Sequence, residues 1–311
     1  MSNRTRFFCF AFLPLLFISG SGLLAQRVPA SLVRPIPEKG FSIILGFGYF
    51  SAQEEFTDQQ TRQPLFTKDR PEQDDFGIVN AFFRQPSFDF QYEYGLSDVI
   101  TVGAKLSYLY NVTDYADVLV ERQDIRYSSA GFSETWVWGR WGIINNAAGG
   151  LSLQLGIKPP TGDISARIPT GTGLLDYESR LMGIINLLAE KVPLYLAFDA
   201  GYRLRSGNFV NQIPFKFEFG LTASPEILIR LSLSGIQSLG TFQTPVGIRY
   251  ISAQSLERRI NLVGDETFYH FNLGLTAFAS NNVEFYFDYS FRFLGQQTFS
   301  GEFIRGGIAI R

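Results

Sequence analysis

The sequence has almost no cysteine, almost no histidine and no long apolar run beyond its first residues. Its single cysteine is Cys9 and its single histidine is His270. Past residue 9 there is no thiol to form a disulfide, bind a metal or act as a nucleophile. After the first 25 or so residues no stretch offers 18 consecutive apolar residues, which excludes a transmembrane helix there. A net charge of −2 argues against nucleic acid as a partner. No glycine-rich loop leads into a helix: Gly171–Thr172–Gly173 sits in a loop and is turn chemistry.

The start of the chain has the composition of an export leader. Arg4 and Arg6 precede an apolar core, Phe7 to Ile18, and small residues follow at Gly20–Ser21–Gly22 and Ala25. We expect residues 1–25 to be a signal peptide, cut after Ala25, with Cys9 inside it and badly placed for lipidation. A short periplasmic segment, residues 26–39, would follow, and then a single domain over residues 40–311.

What the chain has is alternation. In Ser87–Gly95 the residues Ser87, Asp89, Gln91, Glu93 and Gly95 interleave with Phe88, Phe90, Tyr92 and Tyr94. This is a strand with one polar and one aromatic face. With 31 Phe, 14 Tyr and 30 Gly the pattern recurs along the chain. A soluble β-sandwich would carry highly charged outer faces. Here only 18% of residues are charged, and the polar faces are mostly Ser, Thr, Gln, Asn and Gly. The expected fold is all-β: a transmembrane antiparallel up-and-down β-barrel of about twelve strands, with the apolar parity on lipid.

Alternation and turn residues place the strands at about Gly40–Ala52, Ser87–Gly95, Val99–Tyr110, Gly131–Ile144, Leu151–Pro159, Asp176–Ala189, Leu194–Arg205, Ile213–Ala223, Ile227–Ile236, Glu266–Ala279, Val283–Phe293 and Glu302–Arg311. Phe76–Arg84 either extends the second strand or stands apart. Short turns at Leu96–Asp98, Asn145–Gly150, Glu190–Pro193, Ser224–Glu226 and Ser280–Asn282 alternate with mostly longer polar loops, such as Gln53–Asp75, Asn111–Tyr127, Pro160–Leu175 and Gln237–Asp265. In outer-membrane barrels the short turns are periplasmic. An even strand count puts both ends of the barrel there and lets the last strand close on the first.

The polar parity then faces the lumen. It carries Glu93, Lys105, Glu134, Arg140, Lys158, Glu178, Arg180, Asp199, Arg203, Arg205, Lys216, Glu218, Arg230, Glu284, Asp288 and Arg292. Confined charges must pair, so most should cross-link neighbouring strands. An eyelet that selects permeants is the alternative. Arg203 and Arg205, near Arg180, are the best candidates for an uncompensated positive patch. Trp136 and Trp138 share the inward parity, as filling or as an apolar contact for a solute. Phe41, Tyr49, Tyr94, Tyr108, Tyr202, Phe291 and Phe293 lie on the outward parity near strand ends and suit the interface girdles.

Catalysis is not expected. Twelve-stranded outer-membrane phospholipases use a serine–histidine pair at the lipid face, whereas His270 has luminal parity and no serine nucleophile signature accompanies it. No cofactor or metal site is expected, although Asp58, Asp74, Asp75, Asp114 and Asp117 in the loops have the chemistry to bridge divalent ions.

Four stretches together resemble the outer-membrane channels of the MetA-pathway-of-phenol-degradation type. They are Phe90–Asp98 (Phe-Gln-Tyr-Glu-Tyr-Gly-Leu-Ser-Asp), Lys158–Asp163 (Lys-Pro-Pro-Thr-Gly-Asp), Gly171–Gly173 with Asp176, and Leu194–Arg203. Order and spacing agree over about Ser87–Gly240, and Lys158–Asp163 is the most distinctive. The resemblance implies a barrel that passes small hydrophobic or aromatic molecules, and it supplies no catalytic or binding residue. One departure is the terminus. Many such barrels end in an aromatic residue read by the assembly machinery, whereas this sequence ends Ile310–Arg311, with Phe303 further inside. Either the assembly signal differs or the sequence stops early.

The expected function is passive passage of small, hydrophobic or aromatic solutes. A non-transporting structural, adhesive or secretion-accessory barrel is the alternative, and a hydrolase around His270 a third reading. Expected partners are outer-membrane lipid and lipopolysaccharide, the barrel-assembly machinery and a small solute.

Overall fold

The computed structural model describes residues 33–66, 78–117, 123–166, 168–187, 193–240, 247–250, 258–261 and 264–311. The expected leader, Cys9, Asp74 and Asp75 lie outside them.

The strands are β1 (Phe41–Phe56), β2 (Arg62–Pro64), β3 (Ile78–Ser97), β4 (Ile100–Asp117), β5 (Gln123–Phe132), β6 (Trp136–Asn146), β7 (Gly149–Lys158), β8 (Asp176–Leu187), β9 (Leu194–Leu204), β10 (Gln212–Ser224), β11 (Ile227–Ser238), β12 (Gly247–Tyr250), β13 (Arg258–Asn261), β14 (Thr267–Phe278), β15 (Val283–Gln296) and β16 (Thr298–Ile310). All described pairings are antiparallel, and β16 returns to pair with β1, from Ile43 opposite Ile310 to Phe56 opposite Thr298. β5 and β6 form one interrupted stave, and β2 and the β12–β13 hairpin lie off the circuit. The result is a closed barrel of twelve staves. Closure leaves no edge whose backbone groups would be unsatisfied in hydrocarbon.

The two faces separate by chemistry. Phe47, Phe88, Val137, Leu155, Leu196, Phe217, Leu273 and Phe285 are exposed, while Ser42, Glu93, Thr101, Ser152 and Thr276 on the other parity are buried. An apolar outer belt around a polar interior is the reverse of a soluble protein, and it is stable only with lipid outside. Pairs such as Phe47–Phe88 and Phe271–Phe291, with ring centroids 5.2 and 5.8 Å apart, lie across neighbouring strands of the belt.

The strand bounds follow the alternation closely in the lower barrel and less well at the long-loop end. Asn111–Asp117 and Gln123–Tyr127 are paired strand, not loop, and residues 78–84 extend β3. There the outward face turns charged. Arg84 contacts Asp114, and Arg126 lies 3.5 Å from it. The strands have left the lipid at that height, so the apolar signal stops although the ladder does not. The connection at Gly295–Gly301 is also strand except for a tight turn at Gln297, whose φ is +51°.

The expected fourth strand is broken at Ser133–Thr135. β5 pairs only with β4, and the loop between β7 and β8 lies along its other edge. Ser129 Oγ donates to Ile168 O at 2.5 Å, and Thr170 Oγ1 donates to Phe132 O at 3.2 Å. Thr161 Oγ1 donates to Ser133 O at 2.9 Å and accepts from Thr135 N at 3.3 Å. Gly162, at φ +89°, lies so close to Gly171 that a Cβ would sit 2.5 Å from its Cα. The Lys158–Asp163 motif therefore builds a loop that seals a strand edge.

Leu273 lies mid-strand between Phe271 and Leu275 on the lipid face. Leu273→Arg should destabilise the barrel by ~2–4 kcal/mol, and Leu273→Ala by much less. Equilibrium unfolding in phospholipid vesicles, with heat-modifiable gel mobility as the check on folding, measures this.

Candidate functional site

The interior of the barrel is built in layers. At the short-turn end the segment Val33–Glu38 crosses the lumen before β1 begins. Ser152 Oγ donates to Val33 O at 2.6 Å, and Ile36 N donates to Thr101 Oγ1 at 2.7 Å. Arg34 Nη2 donates to Asn146 O at 3.0 Å, and Glu38 N to Asp98 Oδ1 at 3.1 Å. Pro35 sits on Gly142, where any Cβ would meet its ring at 2.4 Å. Val33 joins a buried cluster with Met182, Ile184, Tyr195, Leu228 and Phe278.

Above this strap lies a layer of paired charges. Arg140 donates to Glu93 at 2.9 Å and to Gln154 at 3.1 Å. The Arg140 and Glu93 side chains are only 3% and 0% exposed. Lys216 Nζ lies 2.6 Å from Glu218, which also accepts from Tyr195 Oη at 2.6 Å. Arg230 donates to Asp288 at 2.8 Å, and Glu284 accepts from Arg311 at 2.8 Å. Arg180 contacts Glu178 and donates to Asp199 at 2.7 Å. Arg203 donates to Glu178 at 2.8 Å, lies 3.6 Å from Glu134 and stacks over Trp136, 4.9 Å from its ring centre. Lys158 lies 2.5 Å from Asp176 and donates to Thr172 at 2.7 Å. Arg205 lies 3.3 Å from Asp265 and donates to Gly264 O.

The expected positive patch of Arg180, Arg203 and Arg205 is therefore corrected. Each has a carboxylate partner, one of them supplied by the loop residue Asp265, far away in sequence. Isolated charges in such a confined space would be too costly to keep. Trp136 and Trp138 are buried. Trp136 Nε1 donates to Glu134 at 3.3 Å, and the Trp138 indole covers Gly103. His270 Nε2 accepts from Arg292 Nε at 2.9 Å, and its ring packs on Phe268 at 4.8 Å. Among the described residues, no group of three or more His, Cys, Asp or Glu side chains is gathered as a metal would need.

Towards the long loops the interior opens into a chamber of about 400 Å³. Asp89, Lys105, Glu134, Arg292 and Arg305 line it, together with Phe50, Phe83, Phe299 and Phe303. Asp89 accepts from Ser107 at 2.5 Å and from Arg305 at 2.7 Å, and Lys105 lies 3.5 Å from it. Above the chamber Phe50, Phe83, Tyr115 and Phe299 form an apolar cluster with Leu65, Phe66 and Ile168, which the loops fold inward. The Phe83 and Phe299 ring centres are 5.0 Å apart.

Arg305, Asp265 and Glu266 also belong to this interior, as does the buried aromatic cluster, and the inward parity alone does not single them out. Phe50 shares the inward parity of Gly46 and Gly48, so one large apolar residue on the polar face was the available signal. Leu65, Phe66 and Ile168 carry no strand period and gave none.

No protein-family model matches the chain, and no curated protein does either. Solved structures do. An outer membrane channel from Pseudomonas putida F1 superposes with a TM-score of 0.60 at 9% identity, covering 91% of this chain and 99% of that one. The transport unit of the autotransporter AIDA-I from Escherichia coli gives 0.48 at 12% identity, over 87% and 89%. A toluene transporter, TbuX, from Ralstonia pickettii gives 0.40 at 8% identity, over 87% and 88%. The first likeness bears on the fold. With the apolar belt and the closed seam, it makes this chain a β-barrel of the bacterial outer membrane.

Arg140→Met leaves Glu93 buried without its cation and should cost about 3–5 kcal/mol. The double variant Arg140→Met/Glu93→Gln should recover most of that loss. Denaturant unfolding of both in detergent micelles measures it.

Proposed function

We propose that the protein is a passive channel of the MetA-pathway type, taking small hydrophobic or aromatic solutes through the outer membrane. The observation that carries this reading is the chamber of about 400 Å³ inside a closed barrel, under a buried cluster of phenylalanines at its outer end. A barrel that served only as an anchor would have no need of an aromatic entrance leading to a polar cavity. Solute would leave water at the apolar cluster, cross the chamber and pass the strap at the periplasmic end. The fold shared with an outer membrane channel supports the reading, as does the seal that Lys158–Asp163 forms beside the chamber.

In this reading the luminal residues named from the sequence act as paired walls that fix pore width. Residues 1–25 direct export, residues 26–39 supply the strap, and lipopolysaccharide and the barrel-assembly machinery are the envelope partners.

The strap should limit conductance. In planar bilayers the purified protein should show a small steady conductance. Deleting residues 26–38, or removing two anchors with Ser152→Ala/Thr101→Ala, should raise it several-fold. Absence of ion current and of solute uptake into vesicles, from properly folded protein with and without the strap, would establish the non-transporting barrel instead.

A further inference from the structure

The chamber has a polarity within it that the paired-charge layer lacks. Six cationic side chains line it against four carboxylates. Three of the cations have close partners of their own: Lys158 has Asp176, itself on the chamber wall, while Arg203 has Glu178 and Arg205 has Asp265, both outside it. The other three, Lys105, Arg305 and Arg292, lie towards the β4, β15 and β16 side. Lys105 and Arg305 share one carboxylate within ion-pair distance, Asp89, at 3.5 and 2.7 Å, and Glu134 on the same wall is the next carboxylate to act on Lys105. Arg292 has its nearest carboxylate, Glu266, at 3.6 Å and is stacked between Phe268 and Phe50, 4.3 and 4.9 Å from their ring centres. Above these cations stand the rings of Phe50, Phe83 and Phe299.

We infer that the chamber is a binding site for small aromatic carboxylates, with the carboxylate on Lys105 and Arg305 and the ring against Phe50 and Phe299. This deepens the channel reading and rests on it for its place in transport. An uncharged hydrocarbon would make no use of the two cations gathered on Asp89, and an aliphatic anion would leave the aromatic roof unused. A ring bearing one negative charge answers both. Its charge would sit between Lys105 and Arg305, as a second close counter-ion beside Asp89. At about 400 Å³ the chamber holds a single-ring acid with a few waters.

The test uses the folded, full-length protein in detergent and three probes of similar reach: benzoate, benzyl alcohol and acetate. Equilibrium binding should favour benzoate by tenfold or more over either of the others. Lys105→Gln removes one of the two cations on Asp89 while leaving the Asp89–Arg305 pair, and should weaken benzoate about tenfold without affecting benzyl alcohol. Phe50→Ala should narrow the gap between benzoate and acetate. Arg126→Gln, on an exposed side chain of the outer face, is the control. Equal binding of the three probes by the wild-type protein would overturn the inference. Conductance in potassium chloride is recorded in parallel. A conducting protein without benzoate preference sinks the inference alone, and benzoate binding without any conductance sinks the channel reading alone.

Discussion

The pairing of β16 with β1 is the constraint from which the rest of the molecule follows. Each backbone N–H and C=O in hydrocarbon needs a partner within the protein, and only a closed sheet supplies one for every strand. Closure at twelve staves fixes an interior too narrow for free water throughout and too polar for lipid. The charges there then have to find one another, which is why Glu93 lies on Arg140 and Asp176 on Lys158. The seam itself is permissive. Gly46 and Gly307 stand where a Cβ would meet the Tyr286 hydroxyl at 2.6 and 2.5 Å, so that ring lies flat across the join.

Inside this wall, the two ends are built differently. The short-turn end holds a piece of chain contiguous with β1, bound mostly by hydrogen bonds to Thr101, Ser152, Asn146 and Asp98. The outer end is narrowed by side chains from loops far apart in sequence, held by aromatic and apolar packing. A polar strap and an apolar mouth enclose a chamber that borrows from both, with a cationic wall beneath phenylalanine rings.

The fold was written in the sequence because one physical rule, period two with unlike faces, holds wherever lipid meets the strand. Leu151–Pro159 and Val283–Phe293 agree with the strands to within a few residues for that reason. The rule lapses where lipid ends. Arg84, Asp114 and Arg126 make a charged outer face on a continuous ladder, so Asn111–Tyr127 had the look of a loop. The inward parity identifies side chains but not partners. Nothing local ties Arg205 to Asp265, or brings Ile168 beside Phe83. The Lys-Pro-Pro-Thr-Gly-Asp stretch stood out as a motif before its task was visible, because sealing the edge of β5 is a matter of three dimensions.

The strap has a mechanical consequence. Val33–Glu38 runs into β1, and Lys39 N donates to Gly95 O at 2.9 Å just before that strand begins. A pull on the chain ahead of Val33 would load the anchors one after another, Ser152 and Asn146 first, then Thr101, then Asp98 and Gly95. This is peeling, in which bonds break singly under low force, and the load reaches β1 only after the last has gone. The strap and the closing seam therefore carry load in sequence, not together.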